Sequence, residues 1–359
     1  MEHRPSLVQH PVYWLTDDDK ILGPLVRLCR ANPLVGGNLA FAFYFGLPLV
    51  ALAIAHPSKV PAYVTDPVAI TFTLAVPVLP SIVGLYLVAS LPRLLERVRE
   101  AGVVPDAVRR CEDFLATIKR FTYHPLVTVA LVPFVLLSLF TFIHMTRHPP
   151  DPSWWGSSEF GIAGYLHAAA FSLTMYTALR GAAALVGIAI GLRALLAGDL
   201  HFHPFHPDGY YGLAPLTKII AYVYLLTLSA ALGVFVPFYA GWYGLEHQPL
   251  YPPVIVTYVL MAGLIVAIPA VLLAKAVHRL KTKELGHLER IYCDERENLG
   301  RDAAAPDRVE RMSRIAEHIT KIRGLPDLPF GIIVRLSAVA AFLVQLGLSI
   351  LEVVKSFRS

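Results

Sequence analysis

Charge is what this sequence has least of. Only 16% of its 359 residues are Asp, Glu, Lys or Arg, where a soluble domain carries about a quarter. That deficit excludes a disordered chain, a long coiled coil and an ordinary cytosolic enzyme. Cysteine is scarce as well. Cys29, Cys111 and Cys293 are far apart and form no CxxC pair, which disfavours a disulfide framework and a thiolate metal site. The first long apolar run begins only after Pro33 and no small-residue cleavage site follows a short one, so no removable signal peptide is expected. GxSxG, HExxH and a phosphate-cradling glycine loop are all missing. Asp and Glu lie almost entirely outside the apolar runs, which leaves no paired carboxylates there for acid–base work or proton pumping. The expectation is a protein that is not an enzyme and uses no cofactor.

What the chain does have is apolar length. Hydrophobic residues make up 55% of it, with a mean hydropathy of +0.56. They are gathered in blocks of roughly 20, enough to cross a bilayer as helices. The predicted class is all-α: a polytopic integral membrane protein with about seven transmembrane helices and cytosolic helical extensions. The spans are expected at 35–56, 68–91, 125–145, 164–190, 217–240, 253–277 and 329–352. Residues 1–34 then form a cytoplasmic or interfacial segment, with a helix start at Thr16 ahead of three aspartates. Residues 35–277 form a six-span region whose inner loop, 92–123, is amphipathic and broken at Gly102 and Pro105. Residues 278–327 read as a cytosolic helical pair, and 328–359 as a final span and C-terminus.

Lysine and arginine orient this layout. With the N-terminus inside, 25 of them fall on inner segments and 4 on outer ones, leaving Arg180 and Arg335 within spans. The positive-inside rule therefore predicts N-terminus in and C-terminus out, in a multi-pass protein of the cell membrane. The net charge of +5 reports that topology. No basic stripe interleaved with aromatics marks a nucleic-acid partner. The partner expected is the lipid bilayer.

Four groups of residues are candidates for function. The densest is His201-Phe-His203-Pro-Phe-His206-Pro-Asp208, on the inner side between spans four and five. His201, His203, His206 and Asp208 have the ligand chemistry of a zinc or iron site. The same stretch, ending in Pro-Asp-Gly and followed by Gly212, also reads as a rigid turn in which Asp208 folds onto backbone amides two residues on. In the last span Ser337, Ala341, Gln345 and Ser349 recur at i+4, with Glu352 three further on. They form a small, polar helical face that suits either a water-filled pore or interhelical packing. Tyr176, Arg180, Tyr222 and Tyr224 are candidate lining for a substrate site or packing residues. Span four is overlong, and its Gly187-x-x-x-Gly191 lets another helix approach closely.

The run His206-Pro207-Asp208-x-x-x-Gly212-Leu213 resembles a signature of many uncharacterised prokaryotic multipass membrane proteins. Leu325-Pro-Asp-Leu-Pro329-Phe330 is similar to the entry into their last apolar segment. That family carries no known activity. In architecture alone, the seven spans and prolonged inner helices look like insect odorant and gustatory receptor channels. This likeness implies a homo-oligomeric ion channel, a tetramer in that superfamily, with the last span lining the pore and ions or a small-molecule ligand as further partners. Two other functions stay open. One is a secondary transporter of a small solute, although no internal repeat is found. The other is a membrane-anchored metal-binding or signalling module centred on residues 201–208.

Overall fold

The computed structural model describes residues 32–149, 157–198, 200–201, 206–208, 210–239, 251–299 and 306–324. Among these the chain is all-α. The first helix, α1, runs Pro33–Ala55 with a π-helical turn at Ala42–Gly46. Its start has a local cause: Asn32 accepts the Leu34 amide at 3.1 Å, and Pro33 occupies the first helical position, where no N–H is needed. Two short helical pieces, Pro57–Lys59 and Val60–Val64, turn the chain. Helix α2 then comprises Pro67–Thr73, a second π-helical turn at Leu74–Val78 and Leu79–Glu100. After a tight turn come α3 (Ala107–Tyr123), α4 (Pro125–Arg147), α5 (Ile162–Leu195), α6 (Ala214–Tyr239), α7 (Tyr251–Leu299) and α8 (Pro306–Gly324).

Six of these helices, α1, α2, α4, α5, α6 and α7, are long and apolar enough to cross a membrane. The chain is thus an all-α, multi-pass membrane protein by length and composition. The expected seventh span, 329–352, lies outside the described residues, as does the N-terminal segment 1–31.

Burial separates two zones. Along α4, Leu126, Val129, Phe134, Leu137 and Phe140 are each more than half exposed, Leu126 at 72%. A soluble protein does not display such a surface; a lipid-facing helix does. At the basic end of the bundle the apolar residues are instead fully covered. Leu91, Leu95 and Val98 of α2, Phe114 and Ile118 of α3, Leu192 and Leu195 of α5, Leu216 and Ile219 of α6 and Leu273 of α7 form one continuous core there. A smaller cluster around Phe45, Leu52, Tyr63, Met145 and Phe160 closes the other end.

The basic-end core explains why α5 is so long. Its 34 residues span about 50 Å, against an apolar bilayer thickness of about 30 Å. The excess lies against α3, which buries Cys111, Phe114, Leu115, Ile118 and Thr122 at helical spacing and leaves its charged residues partly or fully exposed. Gly187 and Gly191 are where the two helices touch. A Cβ on Gly187 would stand 3.0 Å from Ile118 Cα, and one on Gly191 2.6 Å from the Phe114 ring. The exposed carbonyls at the end of α5 are taken by two arginines. Arg279 donates to Leu196 O and Arg110 to Ala197 O, each at 2.9 Å, satisfying groups a helix leaves open.

Candidate functional site

The turn entering α6 is built around one carboxylate. Asp208 Oδ1 accepts the amides of Tyr210 at 2.8 Å and Gly212 at 3.0 Å, and Oδ2 accepts the Ala214 amide at 3.1 Å. Ala214 is the first residue of α6, so Asp208 caps that helix from six residues upstream. Burial pushes the Asp208 carboxyl up, but those three amides and the His206 ring outweigh it and hold the group below the usual carboxylate range. His206 Nδ1 stands 3.0 Å from Asp208 Oδ1 and 3.3 Å from the Asp208 amide. Protonated, it donates to the carboxylate; unprotonated, it accepts the amide.

Backbone shape completes the turn. Tyr211 and Gly212 both have positive φ, 60° and 84°. Gly212 sits hard against the turn between α2 and α3, where a Cβ would collide with Val103 and come within 3.3 Å of Ala101 Cβ. The same α2–α3 turn takes His201. Its amide donates to Val103 O at 2.8 Å, and its Nδ1 lies 3.3 Å from Gly102 O. The stretch therefore locks the start of α6 to the α2–α3 elbow. Among the described residues no three His, Cys, Asp or Glu side chains gather as a metal site; His203 lies outside them.

Arg180 and Tyr176 come together, and their partners are at the α3–α4 elbow. The Arg180 guanidinium donates to the Tyr176 hydroxyl at 3.0 Å, to Thr128 Oγ1 at 2.8 Å and to Thr122 O. It also lies 5.6 Å from the Tyr123 ring centroid and 5.2 Å from that of Tyr176. A cation thus rests at the C-terminal end of α3, where the helix dipole favours it. Tyr222 packs edge-on against Tyr86, with centroids 5.3 Å apart. Tyr224, two positions on, points to another side of α6. The four residues are not assembled as one site. Ser337, Ala341, Gln345, Ser349 and Glu352 lie outside the described residues.

Beside the Asp208 turn opens a cleft of about 400 Å³ whose lining includes Arg97, Glu100, His206, Asp208, Pro215 and Lys218. Sequence reasoning missed it, because its walls come from segments more than a hundred residues apart. The only local signal was Arg97 and Glu100 at i, i+3 on one face of α2.

Compared with protein-family models, curated proteins and solved structures, the chain matches none. The fold itself defines its class: a multi-pass α-helical membrane protein with a bilayer environment and a covered helical layer at its basic end.

Proposed function

We propose that the chain is a homo-oligomeric ion channel of the cell membrane, with the final apolar segment lining the pore through Ser337, Ala341, Gln345, Ser349 and Glu352. The observation that supports this reading is the return of the chain at α7 and α8. Helix α7 runs 49 residues, about 73 Å, well past the membrane. Helix α8 folds back along it, with Arg323 2.7 Å from Glu289. The chain is thereby brought back towards the bundle just before 329–352, a separate apolar segment with one polar face. Such a face, costly against lipid, is stabilised by water in a shared pore. The covered layer at the basic end would act as the common platform of the subunits, as the inner helices do in the receptor channels this architecture resembles.

Flux through liposomes tests the proposal. Wild type is expected to pass cations, and Gln345→Leu to lower that flux at least about tenfold at unchanged oligomer size, a barrier change of about 1.4 kcal/mol. Equal flux in both proteins would remove the last segment from the pore.

A secondary transporter is the second reading, favoured by the two π-helical turns. Such turns often mark functional sites in helices. Gly37 of α1 lies against Ile82 and Val78 of α2, so the second π turn packs on the part of α1 just before the first. Tyr44, in the first, shares a 2.6 Å hydrogen bond with Thr174 of α5. Saturable counterflow of one solute, abolished by Tyr44→Phe, is the result that would favour transport over conduction.

A further inference from the structure

We propose that the cleft between α2 and the start of α6 binds a phospholipid headgroup carrying an amine, with Arg97 and Lys218 on its phosphate and Glu100 on its ammonium. The cleft is large enough for such a group, and its location is that of a headgroup. One turn along α6 from Lys218, Tyr222 meets the half-exposed Tyr86, an aromatic pair of the kind that marks a membrane–water boundary. Beyond it α2 and α6 are apolar. Basic pockets between membrane helices at this level take lipid phosphates.

The charges select among headgroups. Arg97, Glu100 and Lys218 are exposed, and none of them forms an ion pair among the described residues. Asp208 is already met by three amides. By taking the Ala214 amide it also occupies the first amide of α6, so the helix end is not the anion site. Arg97 and Lys218 set two cations against the two carboxylates of Glu100 and Asp208. A net anion would face both carboxylates, whereas a zwitterion matches each sign, its phosphate on Arg97 and Lys218 and its ammonium on the free Glu100 carboxylate. An amine with N–H bonds is preferred over a quaternary one, because Glu100 then accepts charge-assisted hydrogen bonds.

The test is native mass spectrometry of the delipidated full chain, titrated with phosphatidylethanolamine, phosphatidylglycerol or phosphatidylcholine in mixed micelles. Phosphatidylethanolamine adducts are expected to dominate in wild type. They should fall about tenfold or more in Arg97→Gln/Lys218→Gln, with gel-filtration behaviour unchanged. Glu100→Gln should abolish the preference for phosphatidylethanolamine over phosphatidylglycerol. Undiminished adducts in the double variant overturn the site. Should that variant misfold, Lys218→Gln alone, at an exposed side chain, decides the same point. Equal binding of phosphatidylglycerol overturns the amine half. Full competition by free phosphoethanolamine at matching concentration overturns the lipid and leaves a soluble phosphate compound.

Discussion

Asp208 presents both carboxylate oxygens to backbone amides, so its charge and its shape are used together. Asp208→Asn keeps the shape but turns an amide NH₂ towards a backbone N–H, a loss on the order of 1–3 kcal/mol. Because the folded carboxyl titrates below its ordinary value, its contribution is full above about pH 4 and fades as pH falls through the lowered value. The melting difference between wild type and Asp208→Asn should thus be widest above pH 5 and close in stronger acid, as read by thermal unfolding in detergent. Sequence placed the fold-back of this side chain on amides two residues ahead; the bonds to Gly212 and Ala214, four and six ahead, depend on the positive φ of Tyr211 and Gly212, which residue types alone do not dictate. Two cysteines give a second test at this scale. Cys111 is buried among α2 and α3, and burial, with Glu96 nearby, pushes its thiol up to about 12. Cys293 is exposed on α7. In a Cys29→Ser background at pH 8, maleimide should label Cys293 at least about a hundredfold faster than Cys111, since the thiolate is the reacting form. Comparable rates would show that α3 leaves its seat.

Helix α3 is held by two devices, and each can be broken separately. The first is the glycine face of α5. Gly187→Leu drives a side chain into the α3 backbone, and overpacking of this kind destabilises by about 1–3 kcal/mol. Gly181 lies on the same helix with open space around it, so Gly181→Ala should be neutral or stabilising by up to about 1 kcal/mol. Opposite effects of the two variants on thermal unfolding are the expected pattern; similar effects would deny the contact. The second device is Arg180. Arg180→Gln loses charge-assisted bonds to Thr122 O and Thr128 Oγ1, worth about 1.5–3 kcal/mol each before compensation, and Arg180→Lys should not rescue it, lacking the planar fork. The spans were legible because long apolar runs have one outcome in a bilayer, and the close-packing glycines because small residues at i, i+4 leave a groove. The partner of that groove was not legible, since nothing in α5 names α3. Nor were the π turns: Ala42–Gly46 and Leu74–Val78 sit inside uniform apolar runs, where hydropathy is blind to hydrogen-bond register. Arg180 reads from sequence as substrate lining or a packing residue, and the α3–α4 elbow supplies the carbonyl that decides for packing.

At the scale of the whole molecule, the apolar surface is outside along the spans and inside at the basic end. Of the 31 lysines and arginines, 25 fall on the segments assigned to that end and 4 on the opposite side. By the positive-inside rule the insertion direction expected from this bias puts the covered layer, the Asp208 turn and Cys293 on the cytoplasmic side. The remaining question is parity. If residues 329–352 cross as a helix, their 24 positions give about 36 Å, slightly more than the bilayer core of about 30 Å. Arg335 lies six positions into this run, near enough to its inner end to snorkel, so its full midplane penalty of about 2.5–3.5 kcal/mol does not apply. The expectation is a seventh crossing, with residue 359 on the outer side. In intact cells a membrane-impermeant maleimide should leave Cys293 untouched in a Cys29→Ser background, yet label a cysteine appended after Ser359. Opening the inner compartment should expose Cys293. If both cysteines instead stay hidden until the cells are opened, the segment 329–352 does not cross, the span number is even, and a pore lined by its Ser337–Ser349 face is excluded with it.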